Sequence, residues 1–148
     1  MAFRFALASL LRLRQGVERQ RALALQQACL QVTRARDALG RLDNILAESW
    51  RTDAHSLAVG CVAAELHFAG QVREQLKRLR TQLLEEIRRL EDAQQQAAAR
   101  YQQAKREREV MEAVRDQQSR VYELEQLRRE QRSLDAAFLL RGWPKKSG

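Results

Sequence analysis

Proline is almost missing from this chain of 148 residues, which contains only Pro144. A proline inside a helix costs about 3 kcal/mol, so its absence from Phe3 to Arg141 allows very long helices. The residues that fill this stretch are mostly alanine, leucine, glutamine, glutamate and arginine, which are strong helix formers. The sequence therefore predicts long helices rather than a fold with many turns and an enclosed pocket.

Aromatic residues are also scarce, at 5% of the chain, whereas charged residues make up 31%. A globular core usually needs more aromatic and β-branched volume, and alanine accounts for much of the hydrophobic content here. Heavy use of alanine, glutamate, lysine, leucine and arginine is typical of coiled coils. We therefore expect one elongated unit with a thin core along a helix–helix seam.

Residues that carry chemistry are few and scattered. Cys29 should lie roughly 35 Å from the bend described below, at 1.5 Å of rise per residue, too far to form an intrachain disulfide with Cys61. No metal-ligand spacing joins either cysteine to His55 or His67, and no glycine-rich phosphate loop or catalytic constellation occurs. We expect no cofactor, no metal site and no enzyme activity, and reduced thiols in a cytoplasmic protein.

The chain has no long apolar run. Its start, MAFRFALASLLRLR, is interrupted by Arg4, Arg12 and Arg14 and is too short and too charged for a signal sequence. We interpret it as the first turns of the first helix and expect no lipid insertion. An arginine-rich transit peptide or a membrane-surface helix is the alternative.

The formal net charge of +8 would suit a nucleic acid, an anionic membrane or an acidic protein. Acidic and basic residues are interleaved, however, as in the stretch KREREVMEAVR from Lys105 to Arg115. The charge is spread along the chain and no nucleic-acid-binding motif accompanies it, so we expect no nucleic-acid partner.

The apolar spacing predicts an all-α fold of two long helices that form an antiparallel coiled-coil hairpin, as a single domain over residues 1–141. The first helix should span about 3–50, the bend 51–61, the second helix about 62–141, and residues 142–148 should be a disordered tail. The predicted seam of the first helix runs through Leu10, Leu13, Val17, Arg21, Ala24, Ala28, Val32, Ala35, Leu39, Leu42 and Leu46.

The second helix carries a strict seven-residue series, typical of a coiled coil: Ala69, Leu76, Leu83, Leu90, Ala97, Ala104 and Met111. Val72 and Leu79 are predicted to fill the intervening positions, after which Ile87 shifts the phase by one residue. If the first helix covers the second as far as residue 110, roughly 45 Å of the second helix overhangs, from Glu112 to Arg141.

Two surfaces are candidates for partner binding. The overhang combines apolar residues with arginines and predicts insertion into a protein socket with acidic patches, or else self-association of two chains. The apolar arc near the bend is wider than a two-helix seam can cover, and Trp50 and Phe68 would be natural anchors there. The alternative is that these aromatic residues only seal the hairpin tip.

Three segments resemble the bacterial flagellar export protein family FliJ over nearly the whole chain: FRFALASLLRLR, AAELHFAGQVREQLKRLR and YQQAKREREVMEAVRDQQSRVYELEQLRREQRSLDAAFL. The resemblance implies a cytoplasmic component of the flagellar type III export apparatus, needed for motility and chemotaxis and peripheral at the inner membrane. It implies a hairpin similar to the gamma stalk of rotary ATPases. It also implies three kinds of partner: the FliI-like hexameric export ATPase, the FlhA-like membrane export gate, and export chaperones.

The resemblance also implies which residues meet these partners. Contacts with the ATPase ring fall on Phe5, Leu10, Arg12, Arg115, Tyr122, Arg128, Arg129 and Leu134. Contacts with the export gate fall on Leu39, Leu46, Trp50, Phe68, Val72 and Leu76. An injectisome-type secretion stalk and a self-associating structural coiled coil remain as alternative readings of the same features.

Overall fold

A computed structural model describes residues 3–60 and 62–142, and these residues form two long helices. The first helix, α1, spans Ala8–Val59, and the second, α2, spans Ala63–Gly142. No strand occurs within these two described ranges. The helices pack against each other as a hairpin in which α2 is the longer, so the predicted all-α fold class is confirmed.

The bend is shorter than predicted. The sequence indicated a polar bend over 51–61, but α1 continues through Thr52, Asp53 and Ser56 and ends at Val59. These turn-type residues are tolerated in the helix because Asp53 and Ser56 are half-buried and Asp53 pairs with Arg73 of α2. Gly60, with φ of 86°, adopts the left-handed conformation that commonly ends a helix and that glycine adopts without strain.

The outer ends of the helices also differ from the expected ones. The first helix begins at Ala8 rather than near Phe3, after a turn in which the Ala8 amide donates to the Phe5 carbonyl at 3.1 Å. Gly142, which was expected to open the tail, is the last residue of α2. The predicted disorder of residues 143–148 and the predicted state of Cys61 lie outside the described residues.

The chain groups into two compact units, each built from parts of both helices. The bend unit comprises Arg19–Gln102, and the terminal unit comprises Met1–Glu18 with Gln103–Gly148. Each unit is described by itself below.

In the bend unit the two helices run antiparallel. Going along α1, the contacts Arg36–Glu91 (2.8 Å), Asp43–Arg80 (2.7 Å) and Asp53–Arg73 step backwards along α2. The buried apolar side chains of this unit are Val32, Leu42 and Ile87. The core is therefore a narrow seam rather than a volume enclosed on all sides.

The terminal unit shows the same antiparallel pairing. Arg14 contacts Glu107 at 2.6 Å, and the ring of Phe3 lies 5.6 Å from the ring of Tyr122. The residues that precede α1 thus extend the pairing beyond residue 110, where it was expected to stop. Gln126 is the last half-buried residue of α2, and every described residue from 127 to 142 is exposed. The overhang is accordingly shorter than the predicted Glu112–Arg141.

The seam of α1 follows a strict seven-residue series: Leu11, Glu18, Leu25, Val32, Leu39, Leu46 and Asp53, all buried or half-buried. The predicted seam is correct from Ala28 to Leu46, but Leu13, Arg21 and Ala24 are exposed and their assignment to the seam was wrong. Steps of three or four residues from Leu13 passed over Glu18, a polar residue that the constant seven-residue period places in the seam.

The first series of α2, from Ala69 to Met111, is buried or half-buried as predicted. The second series does not use Val72 and Leu79, which are exposed, and Ile87 does not shift the phase. It runs instead through Leu66, Arg73, Arg80, Ile87, Gln94, Tyr101, Arg108, Arg115 and Tyr122, all buried or half-buried. The prediction failed here because it preferred apolar residues to arginines at seam positions.

Two leucines of the terminal unit test the corrected seam. Leu11 is 6% exposed and Leu13 is 60% exposed, although the sequence had placed Leu13 in the seam. We expect Leu11→Ala to lower the free energy of unfolding by about 2–3 kcal/mol, because it leaves a cavity between the helices. Leu13→Ala should change it by less than about 0.5 kcal/mol. Urea denaturation followed by circular dichroism measures both, and equal losses would contradict the seam assignment.

Candidate interaction surfaces

Within residues 3–60 and 62–142 we find neither a cluster of metal-ligating side chains nor a membrane-spanning helix. No group of three or more histidine, cysteine, aspartate or glutamate residues within residues 3–60 and 62–142 could hold a metal ion. No helix in the same ranges is long and apolar enough to cross a membrane.

Arg108 occupies a seam position of the terminal unit and is held by two carboxylates. Its Nε and Nη2 donate to Glu18 of α1 at 2.6 and 3.1 Å, and its Nη1 donates to Glu112 at 2.7 Å. The hydrogen bonds to Glu18, then those to Glu112, raise the pKa of Arg108 above its ordinary value. The guanidinium therefore stays charged and ties the two helices together at this level.

The bend unit also has polar contacts between its two helices, made by side chains at seam positions of α2. Arg73 and Asp53 form an ion pair whose side chains are only 12% and 13% exposed, whereas Arg80 and Asp43 are 41% and 46% exposed. Gln94 donates to the Sγ atom of Cys29 at 3.1 Å. The seven-residue spacing of Arg73, Arg80 and Gln94 is the sequence signal that could have revealed this polar series.

Trp50 lies at the side of the seam, next to the ion pair of Asp53 and Arg73. The Arg73 guanidinium lies 4.1 Å from the centroid of the indole ring, and the Lys77 ammonium lies 5.6 Å away. Both are cation–π distances, which fix the position of the ring. The side chain is still 54% exposed, so Trp50 is held in place but available to a partner.

The six predicted gate contacts do not form one continuous patch. Leu39, Leu46 and Leu76 are half-buried in the seam, whereas Trp50, Phe68 and Val72 are exposed. At about 100° per residue, Val72 lies roughly 140° around α2 from Lys77, which contacts Trp50. Trp50 and Val72 therefore lie on opposite flanks of the seam.

Two groups of exposed apolar side chains lie near the bend. Phe68, Val72 and Leu79 lie within about 40° of one another around α2 and form an exposed row. Leu57, Val59 and Val62, on either side of Gly60, are also exposed. Leu57 and Val59 were not predicted as part of a surface because the bend was interpreted as a polar stretch over 51–61, and Val62 was predicted only as the start of the second helix. Exposed apolar clusters of this kind commonly mark binding surfaces.

The predicted ring contacts divide into internal and exposed residues. Phe5, Leu10, Arg115 and Tyr122 are half-buried within the terminal unit, where Tyr122 stacks on Phe3. Arg12, Arg128, Arg129 and Leu134 are exposed. The first group therefore builds the unit, and the second group faces the solvent.

The bare segment, which we define as residues 127–142 of α2, combines exposed arginines with large exposed apolar side chains. These apolar residues are Leu127, Leu134, Phe138, Leu139 and Leu140. A helix of this length is marginal in water when nothing covers its apolar face. The bare segment therefore has the character of a surface that is completed by a partner.

Two aspartates of the bend unit test whether the buried ion pair matters to the fold. We expect Asp53→Ala to lower the free energy of unfolding by about 2–3 kcal/mol, because it leaves the guanidinium of Arg73 buried without its carboxylate. Asp43→Ala removes the same charge from a more exposed pair and should cost less than about 1 kcal/mol. Chemical denaturation of both variants gives the comparison, and a larger loss for Asp43→Ala would refute it.

Comparison with protein families gives one informative match. A family model described as Flagellar FliJ protein matches residues 3–146, nearly the whole chain. Searches of the curated proteins and of the solved structures give no match.

Proposed function

The chain belongs to the flagellar FliJ family, and on this premise we propose that it is a non-catalytic stalk of the flagellar type III export apparatus. Family membership makes it a flagellar export protein. In the proposed function it binds and stimulates the FliI-like hexameric export ATPase and couples that ring to the FlhA-like export gate. It acts at the cytoplasmic face of the inner membrane.

The observation that carries the ATPase contact is the bare segment. In the terminal unit, Leu11, Ala104 and the charged pairs close the seam, and the apolar side chains from Leu127 onward are left exposed. Exposed apolar residues beside arginines favour a protein partner, because arginine forms bidentate pairs with carboxylates. A socket in an ATPase ring would cover both kinds of residue.

The gate contact is supported by the bend unit. Trp50 is exposed and held by Arg73 and Lys77, and tryptophan is enriched among the residues that dominate binding energy. The apolar row of Phe68, Val72 and Leu79 provides further contact area. Escort of export chaperones belongs to the proposed function as well, and family membership alone supports it.

The ATPase contact is tested by the rate of ATP hydrolysis of the cognate export ATPase, titrated with this chain. We expect saturable stimulation by the full chain and its loss on truncation after Gln126, which removes residues 127–148, of which 127–142 are all exposed. Circular dichroism per residue should show that the truncated chain keeps its helices. Equal stimulation by both chains would remove the bare segment from the proposed contact, and no stimulation by either would contradict the proposed function.

The gate contact is tested by Trp50→Ala. Loss of an aromatic anchor should weaken binding to the cytosolic domain of the export gate by at least about tenfold, as measured by titration calorimetry. Leu23→Ala, which truncates another exposed side chain of the bend unit, is the matched control and should bind like the wild type. A large loss of helicity in Trp50→Ala would show that the indole has a structural role instead.

A further inference from the structure

The apolar residues near the end of α2 do not continue the seam. Four exposed side chains recur at coiled-coil spacing and define an outer stripe: Leu124, Leu127, Leu134 and Phe138. A groove lined in part by Leu134, Ala137 and Phe138 runs beside the stripe. Gln131 occupies the remaining position of the pattern and donates to Asp135 at 3.1 Å.

The outer stripe lies on a different face of α2 from the seam. The last half-buried seam residues of the terminal unit are Arg115, Tyr122 and Gln126. At about 100° per residue, the outer stripe is centred roughly 130° around the helix from these residues. The positions that would prolong the seam are occupied by Arg129, Ser133, Ala136 and Leu140, of which only Leu140, near the end of the helix, is a large apolar residue. The apolar face thus changes sides where the intramolecular pairing stops.

The rims of the outer stripe carry opposite charges near Leu127. Glu123 and Glu130 lie on one side, and Arg128 lies on the other, by the same helical geometry. Arg129 lies on the opposite face of the helix from the stripe. A complementary partner would therefore offer an apolar groove with a basic rim facing the glutamates and an acidic rim facing Arg128.

A second copy of this chain fits the outer stripe poorly. In a parallel pair, Glu123 would face Arg128 of the other copy, but Glu130 would face Asp135, so attraction and repulsion offset each other. An antiparallel pair would bring Glu130 close to Glu130 of the other copy. The stripe also spans about two heptads, fewer than the three to four that a coiled coil typically needs. A different protein with a preformed groove is therefore a better partner for the outer stripe than a second copy of this chain.

We propose that the outer stripe, rather than the face that continues the seam, is the surface of the bare segment that meets the export ATPase. This inference rests on the proposed function and refines it. Arg128, Arg129 and Leu134 were all predicted as contacts with the ATPase ring. In this inference Leu134 and Arg128 contact the partner, whereas Arg129 faces away from it. The matching surface of the ATPase is an apolar groove whose rims carry opposite charges beside Leu127, whereas Asp135 adds an acidic group on the same side of the stripe as Arg128.

Point variants of the full chain test this assignment through their affinity for the cognate ATPase. Leu134→Ser should weaken binding by at least about tenfold, and Leu140→Ser, at a leucine on the seam-continuing face that is even more exposed, should leave it within about twofold. Arg128→Glu should weaken binding, whereas Arg129→Glu, with the same charge change, should not. All four side chains are exposed, so circular dichroism should show unchanged helicity.

Three outcomes would contradict the assignment of the outer stripe as the ATPase contact. If the wild type binds and each variant weakens binding as much as its control, the outer stripe is not the contact face and only this inference fails. If the wild type does not bind the ATPase at all, the proposed function fails together with it. If sedimentation shows a dimer that Leu134→Ser dissociates while ATPase affinity is unchanged, a second copy occupies the stripe and the inference is overturned.

Discussion

The rest of the structure depends on polar contacts inside a thin helix–helix seam. The seam removes little apolar area from water, because few of its described apolar side chains are buried, namely Leu11, Val32, Leu42, Ile87 and Ala104. Arg73, Arg80 and Arg108 recur on the seven-residue period of α2 and meet acidic residues of α1. A slip of one heptad would move each arginine about 10 Å along α1 and away from its carboxylate. These contacts therefore select one register, which the apolar residues alone would specify weakly.

That register decides which side chains remain available to partners. Arg73 is engaged with Asp53 and holds Trp50 at the side of the seam, so the indole is fixed yet exposed. In the terminal unit, Phe3 and Tyr122 close the pairing, and α2 continues without cover from residue 127. The export function that we propose uses these uncovered surfaces, while the charged residues of the seam serve the fold.

The fold class could be predicted because the lack of proline and the leucine series from Ala69 to Met111 both indicate long helices. The bend could not, because Thr52, Asp53 and Ser56 favour a turn locally, and the pairing of Asp53 with Arg73 of α2 is not displayed by the sequence. Val72 and Leu79 were wrongly assigned to the seam for a related reason. Arg73 and Arg80 occupy the seam positions instead, where they pair with Asp53 and Asp43 of α1, and these pairs cannot be read from the sequence of α2 alone. The width of the apolar arc indicated that some of its residues would be exposed, but neither the choice of Trp50 among them nor the cations that hold it could be read from the sequence.

In the proposed function the seam is closed within the hairpin, and the export ATPase covers the bare segment. Hydrogen exchange of the full chain, alone and saturated with the cognate ATPase, tests this most directly. We predict slow exchange around Val32 and Ile87 in both states, and fast exchange over residues 127–142 that becomes slow when the ATPase binds. Exchange over residues 127–142 that is already slow in the free chain, or that the ATPase leaves unchanged, would contradict the account.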